Sequence, residues 1–166
     1  MGESVVARTV IINILREKGK PEKRWASSNL ITEDGDYFMV QRLSGASPTH
    51  TLVNCVLGTG GTAAAKTDTY TNITAIAGSN KAPSAGYPKV NDTDSDNTGK
   101  GLYVCTWKYE WTMGDFNDPA VREGCITIAS PIAESKIFNH WVEAEAYVKT
   151  ASATLTQYVN VTITGA

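Results

Sequence analysis

The alternation of side chains between residues 103 and 111 constrains the fold of this chain more than any other sequence feature. Large or sulfur-containing side chains occupy every second position, at Tyr103, Cys105, Trp107, Tyr109 and Trp111. A period of two is that of a β-strand, whose successive side chains point to opposite faces. The segment is therefore predicted to be a strand with one aromatic face, and Trp107 and Trp111 are predicted to pack into a core.

Other segments also have the composition of strands. Residues 5–15 are rich in Val, Ile and Thr, and turn-forming residues separate them from residues 24–28, which predicts a β-hairpin. Residues 51–57 are predicted to form a further strand that ends in a glycine-rich loop. Residues 138–148 and 154–164 alternate again and are predicted to be half-exposed antiparallel strands.

One short helix is predicted near residues 33–43, because Met39, Val40 and Leu43 have the spacing of a single helical face. Residues 78–101 collect Gly, Ser, Asn, Pro and Asp, and are predicted to form a long exposed loop that could contact a partner.

Together these elements favour a mainly β protein, an antiparallel β-sandwich with the jelly roll as a variant, over alternating β and α units. A length of 166 residues suits a single domain over residues 1–166. The net charge of -2 and a pI near 5.7 give no electrostatic basis for binding nucleic acid. The longest apolar run is far shorter than a membrane helix, and the N-terminus has no secretory signal, so synthesis in a cytoplasm is expected.

The cysteines Cys55, Cys105 and Cys125 are odd in number and widely spaced, without a C-x-x-C pair. They are predicted to be buried reduced thiols on strands, with a disulfide between two of them as the alternative.

A phosphate-binding loop is the most tempting enzymatic motif, since residues 60–67 nearly match G-x-x-x-x-G-K-[ST]. Ala65 stands where the last glycine belongs, and its Cβ obstructs the turn that aims N–H groups at a phosphate. No nucleotide or other cofactor is therefore expected.

Acidic residues suggest two further sites. Asp92, Asp94 and Asp96 resemble the start of a calcium loop, but the EF-hand pattern breaks after them, so a solvated acidic loop is preferred and a weak calcium site stays the alternative. Glu143 and Glu145 share a strand face beside Trp141, which would suit a paired-carboxylate glycosidase or a sugar-stacking surface. A solvated strand edge is the preferred interpretation of these residues.

The remaining candidates for catalysis are weak. His50 and His140 are predicted to be packing or surface residues, and Ser130 and Ser135 lack a nucleophile elbow. No catalytic, cofactor-binding or metal-binding residue is therefore predicted, and the chain is expected not to be an enzyme.

Several short motifs follow one another along the chain, at residues 29–35, 57–63 with 66–69, 114–117 with 122–124, and 148–163. Their order resembles that of a class of small tailed-bacteriophage virion proteins, known as head-decoration or tail-fibre-like proteins. Phe116 and Val121 depart from the pattern of the class.

This resemblance implies a non-catalytic structural role in a virion, as a capsid decoration (cement) subunit or as part of a head or tail appendage. It implies synthesis in the cytoplasm of a bacterial host and assembly into the particle as a homo-oligomer, with the major capsid protein or tail and neck proteins as partners and without nucleic acid or membrane. The loop of residues 78–101 and the hairpin around Trp25 are the expected contact regions. A carbohydrate-binding module for host adhesion is the alternative.

Overall fold

The computed structural model describes residues 5–45, 51–91, 103–128 and 136–165, which fold into two antiparallel sheets and a short α-helix. The first sheet has the order β2-β1-β9-β6-β5 and the second has the order β3-β8-β7-β4. The strands are β1 (Val5–Glu17), β2 (Lys23–Ser28), β3 (Leu30–Ile31), β4 (Leu52–Gly58), β5 (Lys89–Val90), β6 (Val104–Trp111), β7 (Asp118–Ile128), β8 (Ile137–Lys149) and β9 (Ala153–Gly165). Helix α1 (Glu33–Leu43) follows β3, and a single 3-10 turn (Tyr70–Asn72) follows β4.

The core lies between the two sheets, which confirms the predicted β-sandwich with a short helix. Each sheet contributes large apolar side chains that are almost fully buried, including Ile11 and Leu155 from the first sheet and Ile126 and Trp141 from the second. Gly124 lies beneath the Trp141 ring, where an added Cβ would overlap the indole. A glycine at this position of β7 therefore lets the indole pack flat against the strand.

Strand β6 carries the predicted aromatic face. Tyr109 and Trp111 are buried, and the half-buried Trp107 packs against the same core. The Trp111 Nε1–H donates to the Ser79 carbonyl oxygen at 2.7 Å, so the buried indole keeps a hydrogen-bond partner. The expectation that this strand supplies core tryptophans is confirmed.

Strand β9 is antiparallel as predicted, but the expectation that it is half exposed is wrong. It lies between β1 and β6 in the middle of the sheet, and its non-core face is buried as well, including Tyr158 and Asn160. Tyr87 packs from outside against Tyr158 and the neighbouring Ile12 and Ile14. Side chains contributed from outside the sheet therefore shield a face that alternation alone would assign to solvent.

Helix α1 forms where it was predicted, but only Met39 of its predicted apolar face packs against the core, together with Phe38. Its N-cap Thr32 accepts a hydrogen bond from the Gly35 N–H at 3.1 Å. Gly35 is buried against β8, where an added Cβ would overlap the Phe138 carbonyl oxygen. Val40 and Leu43, expected on the apolar face, are 61% and 78% exposed, because the close approach at Gly35 turns them outward.

A segment that we name the strap, residues 75–91, covers one side of the sandwich. It bridges to β4 at Cys55 and Gly58, and it pairs with β6 through β5 and a hydrogen bond from the Ser84 N–H to the Lys108 carbonyl oxygen. The first part of the predicted exposed loop is thus tied to both sheets. The rest of that loop, residues 92–101, lies outside the described residues.

Candidate functional site

The side of the sandwich opposite the strap is open. The chain leaves β2 at Ser28 and crosses to β3 in the other sheet, where β3 pairs only with Asn139 and His140 of β8. Beyond that point no described strand pairs with this edge of β8, and none pairs with the outer edge of β2. An unpaired edge presents a row of backbone donors and acceptors that can bind another strand.

A groove of about 680 Å³ runs between these two edges, and we call it the edge groove. It is lined by residues of β2 (Lys23 and residues 25–28) and of β8 (residues 142–148). Trp25 and Tyr147 meet across it edge to face, with ring centroids 4.9 Å apart. Two smaller depressions, of about 430 and 320 Å³, also include Ser28, so the three hollows adjoin along β2.

Glu143 forms the floor of the edge groove and is only 5% exposed. Its carboxylate accepts hydrogen bonds from the Trp25 Nε1–H at 3.1 Å, the Ser27 hydroxyl at 2.5 Å and the Asn13 amide at 3.4 Å. Burial raises the pKa of Glu143, and these three hydrogen bonds oppose the rise. The prediction of a solvated strand edge is therefore wrong for Glu143, whereas Glu145 is exposed as expected.

Polar atoms without a partner collect beside this edge. Within the described residues, eight buried side-chain polar atoms make no hydrogen bond. Four of them belong to residues that line the three hollows: Thr9 Oγ1, both amide atoms of Asn29, and the Tyr147 hydroxyl. Buried polar groups nearly always find partners, but these four atoms are buried within the chain itself, so they are unpaired interior groups near the hollows and not part of the accessible surface.

A second polar cluster, of Asp68, Glu123 and His140, lies behind the groove. The His140 Nδ1 is 2.7 Å from Asp68 Oδ2 and its Nε2 is 3.1 Å from Glu123 Oε2. Burial disfavours the charged imidazole, but the hydrogen bonds to Glu123 and Asp68 outweigh that effect and raise the pKa of His140. Both ring nitrogens can donate only in the protonated form, which therefore fits between two carboxylates.

The same cluster explains what the glycine-rich motif does. Glu123 Oε1 accepts hydrogen bonds from the Gly60 N–H at 2.8 Å and from the Thr74 N–H at 2.7 Å. A Cβ at Gly60 would overlap the Glu123 carboxylate, so the close approach requires glycine. The chain's own carboxylate therefore binds the first N–H of this motif, and it fastens residues 59–75 to β7.

The other predicted sites have mixed outcomes. Cys55 and Cys125 are buried free thiols as predicted, and Cys105 is free but only half buried; burial raises the pKa of all three. His140 is a packing residue as predicted. The positions Asp92, Asp94, Asp96, His50, Ser130 and Ser135 lie outside the described residues.

Sequence analysis missed the acid and histidine cluster, because its members are 17 and 72 residues from His140 and share no motif. In the part of the chain that the structure describes, no group of three or more His, Cys, Asp or Glu residues is arranged to hold a metal ion. No helix among the described residues is long and apolar enough to cross a membrane.

Comparison with known proteins adds no relative to this picture. No protein-family model, no curated protein and no solved structure matches the chain.

Proposed function

We propose that this chain is a non-catalytic structural subunit of a tailed-bacteriophage particle, made in the bacterial cytoplasm and assembled either as capsid decoration or as part of a head or tail appendage. The observation that carries the proposal is the open edge of the sandwich. The strap covers β4 and β6 on one side, while β2 and β8 are left unpaired beside a groove. A stable protein rarely leaves two such edges bare, because they invite association.

The interior polar residues support a structural role over a catalytic one. Glu123 and His140 are each 2% exposed, and their hydrogen-bonding atoms contact the chain itself. A general acid or base must come within hydrogen-bond reach of a substrate; His140 lines the hollow of about 430 Å³, but both of its ring nitrogens are already held by Asp68 and Glu123. Their contacts instead join β7, β8 and residues 59–75 into one rigid unit.

The same geometry refines the expected contact surface. The described part of the 78–101 loop belongs to the strap and is engaged with β4 and β6. The hairpin around Trp25 forms one wall of the edge groove. We therefore assign the assembly contact to the hairpin side of the molecule, toward the major capsid protein, tail and neck proteins, or a second copy.

The test begins with purified phage particles from the source of this chain, by mass spectrometry and antibody-labelled electron microscopy. Label over the head supports decoration, label at one vertex or along the tail supports an appendage, and absence from particles overturns the proposal. Attachment of the recombinant chain to particles that lack it then tests the surface. We expect Ser28→Arg, at the junction of the three hollows, to weaken attachment, and Ala85→Arg, an exposed change on the strap, to leave it intact.

A second candidate function is carbohydrate binding for host adhesion, and the aromatic pair in the groove is the observation that favours it. Trp25 and Tyr147 are half buried and line a groove that also holds the exposed Glu145. Aromatic rings can stack on sugars. Quenching or enhancement of tryptophan fluorescence by host polysaccharide, lost in Trp25→Ala, would support this function, and a glycan array without binding would count against it.

A further inference from the structure

We infer that the open edge is occupied by a second copy of this chain, in a two-fold dimer that pairs β2 of each protomer with β8 of its partner. The inference deepens the proposed function by naming the neighbour at the edge groove. It also stands or falls on the purified protein alone. The directions of the two edges and the charges along them support this pairing.

The two edges run antiparallel to each other across the groove. Ser27 hydrogen-bonds Glu143, and Trp25 contacts both Glu143 and Tyr147, so moving forward along β2 corresponds to moving backward along β8. Trp25 is therefore level with Glu145, midway between its two contacts. By the same correspondence Lys23 is level with Tyr147.

Because the two edges are antiparallel, a single two-fold rotation can pair both of them with strands of a second copy. A two-fold axis parallel to the strands brings β2 of one protomer beside β8 of the other and leaves every residue at its own level. Because a rotation about this axis keeps strand direction, β2 meets the partner's β8 in antiparallel orientation. The contact is isologous and closed: it occurs twice, leaves neither edge bare and cannot grow into a fibre.

Charge selects this arrangement. Lys23 and Glu145 are both exposed and both line the groove. In the dimer, Lys23 lies diagonally across from Glu145 of the partner subunit, within reach of long side chains on adjacent strands. The other two-fold arrangement, with its axis perpendicular to the sheets, pairs β2 with β2 and β8 with β8. It puts Lys23 and Glu145 on strands that do not pair with each other, so the favourable contact between opposite charges is not formed.

The residues beside the edges also suit an incoming strand. Ala26, Ala144 and Ala146 are small and exposed, so another backbone can approach closely.

Charge reversal tests the pairing in the purified full-length chain by sedimentation velocity over a range of micromolar concentrations. We expect the unmodified protein to be a dimer. Lys23→Glu and Glu145→Lys should each raise the dissociation constant about tenfold, since two cross-strand pairs become repulsive. The double variant restores both pairs and should return the constant to within about threefold of the original. Lys89→Glu, on the edge strand β5 at the opposite side, is the matched control and should have no effect.

A cysteine pair tests the geometry independently. Ala26 and Ala144 are level with each other and directly opposite across the proposed strand pair, where a disulfide can form. Within one chain the neighbouring Ser27 and Glu143 point toward each other between the sheets, so Ala26 and Ala144, one position along each strand, point to opposite outer faces and away from each other. Ala26→Cys with Ala144→Cys should form a covalent dimer under oxidised glutathione, whereas either cysteine alone should not.

Three results would overturn the inference: a monomer at every concentration, a double charge reversal no better than the single ones, or cross-linking by a single introduced cysteine. Failure here is separable from failure of the proposed function. A monomer that still attaches to particles through Ser28 would mean that another virion protein occupies the edge. A dimer absent from particles would leave the inference standing without the virion role.

Discussion

Replacing Glu123 by alanine is the sharpest test of how residues 59–75 are held. The change removes the acceptor for the Gly60 N–H, the Thr74 N–H and the His140 Nε2–H at once. A buried donor left unpaired costs about 1–3 kcal/mol, and water can reach the exposed Thr74 and half-buried Gly60 in part. Breaking a buried charged pair typically costs about 3–5 kcal/mol, and we expect a loss of that size.

The assays are urea and thermal unfolding followed by tryptophan fluorescence, with amide hydrogen exchange on the folded protein. We expect the melting temperature to fall by about 10 °C. Faster exchange should be concentrated at Gly60 and Thr74 and in the segment between them. Lys18→Ala, which removes an exposed charge in the turn between β1 and β2, is the control and should change stability by less than about 0.5 kcal/mol.

Two outcomes would contradict this reasoning. One is a loss below about 1 kcal/mol, which would mean that the three hydrogen bonds contribute no more than a surface contact. The other is unchanged protection of the Gly60 and Thr74 amides, which would show that other contacts hold the segment. Glu123→Gln separates charge from geometry, because its amide oxygen can still accept from both backbone N–H groups.

Three further predictions concern other residues. The pKa of His140 is raised in the folded protein, so its contribution to stability is complete below its ordinary pKa of 6.5 and is lost as pH rises through the higher folded value. The difference in unfolding free energy between the unmodified protein and His140→Gln should therefore shrink between neutral and alkaline pH. Burial raises the pKa of Glu143, so the ionised side chain destabilises the folded protein. The stability of Glu143→Gln relative to the unmodified protein should therefore increase as pH rises above 4.5. Urea titrations at several pH values that show a constant difference would contradict this prediction. Gly124→Ala should destabilise by about 1–3 kcal/mol because its Cβ overlaps the Trp141 ring, and a thermal melt equal to the original would refute that packing.

The edge groove and the strap explain why one molecule can be both well packed and ready to associate. Residues 75–91 pair with parts of β4 and β6 on one side, where only the two-residue strand β5 is left at the edge of the first sheet. The crossing at Ser28 leaves β3 with only two residues, so most of β8 lacks a neighbour on the other side. The asymmetry is a consequence of chain connectivity, and it defines a single side for assembly.

The sequence alone determined the classes of the main elements, because local periodicity decides them. The alternation at residues 103–111 identified β6 and its aromatic face, the turn residues after β1 identified the first hairpin, and the spacing near residues 33–43 identified α1. These features depend on neighbours within a few residues, where the repeat of side-chain direction is fixed by backbone geometry. The same local logic indicated free cysteines on strands.

Only the tertiary structure decided which faces are covered and which polar residues meet. The sequence around His140 does not predict its contacts with Asp68 and Glu123, and the sequence around Glu143 does not predict its contact with Asn13. Strand pairing and the packing of the two sheets bring these residues together from distant segments. Alternation assigned β9 one exposed face, but its central place in the sheet and the packing of side chains from outside it bury that face. Whether a side chain is buried, and which group it hydrogen-bonds, depends on contacts between segments that are distant in sequence. A local pattern contains no information about those segments.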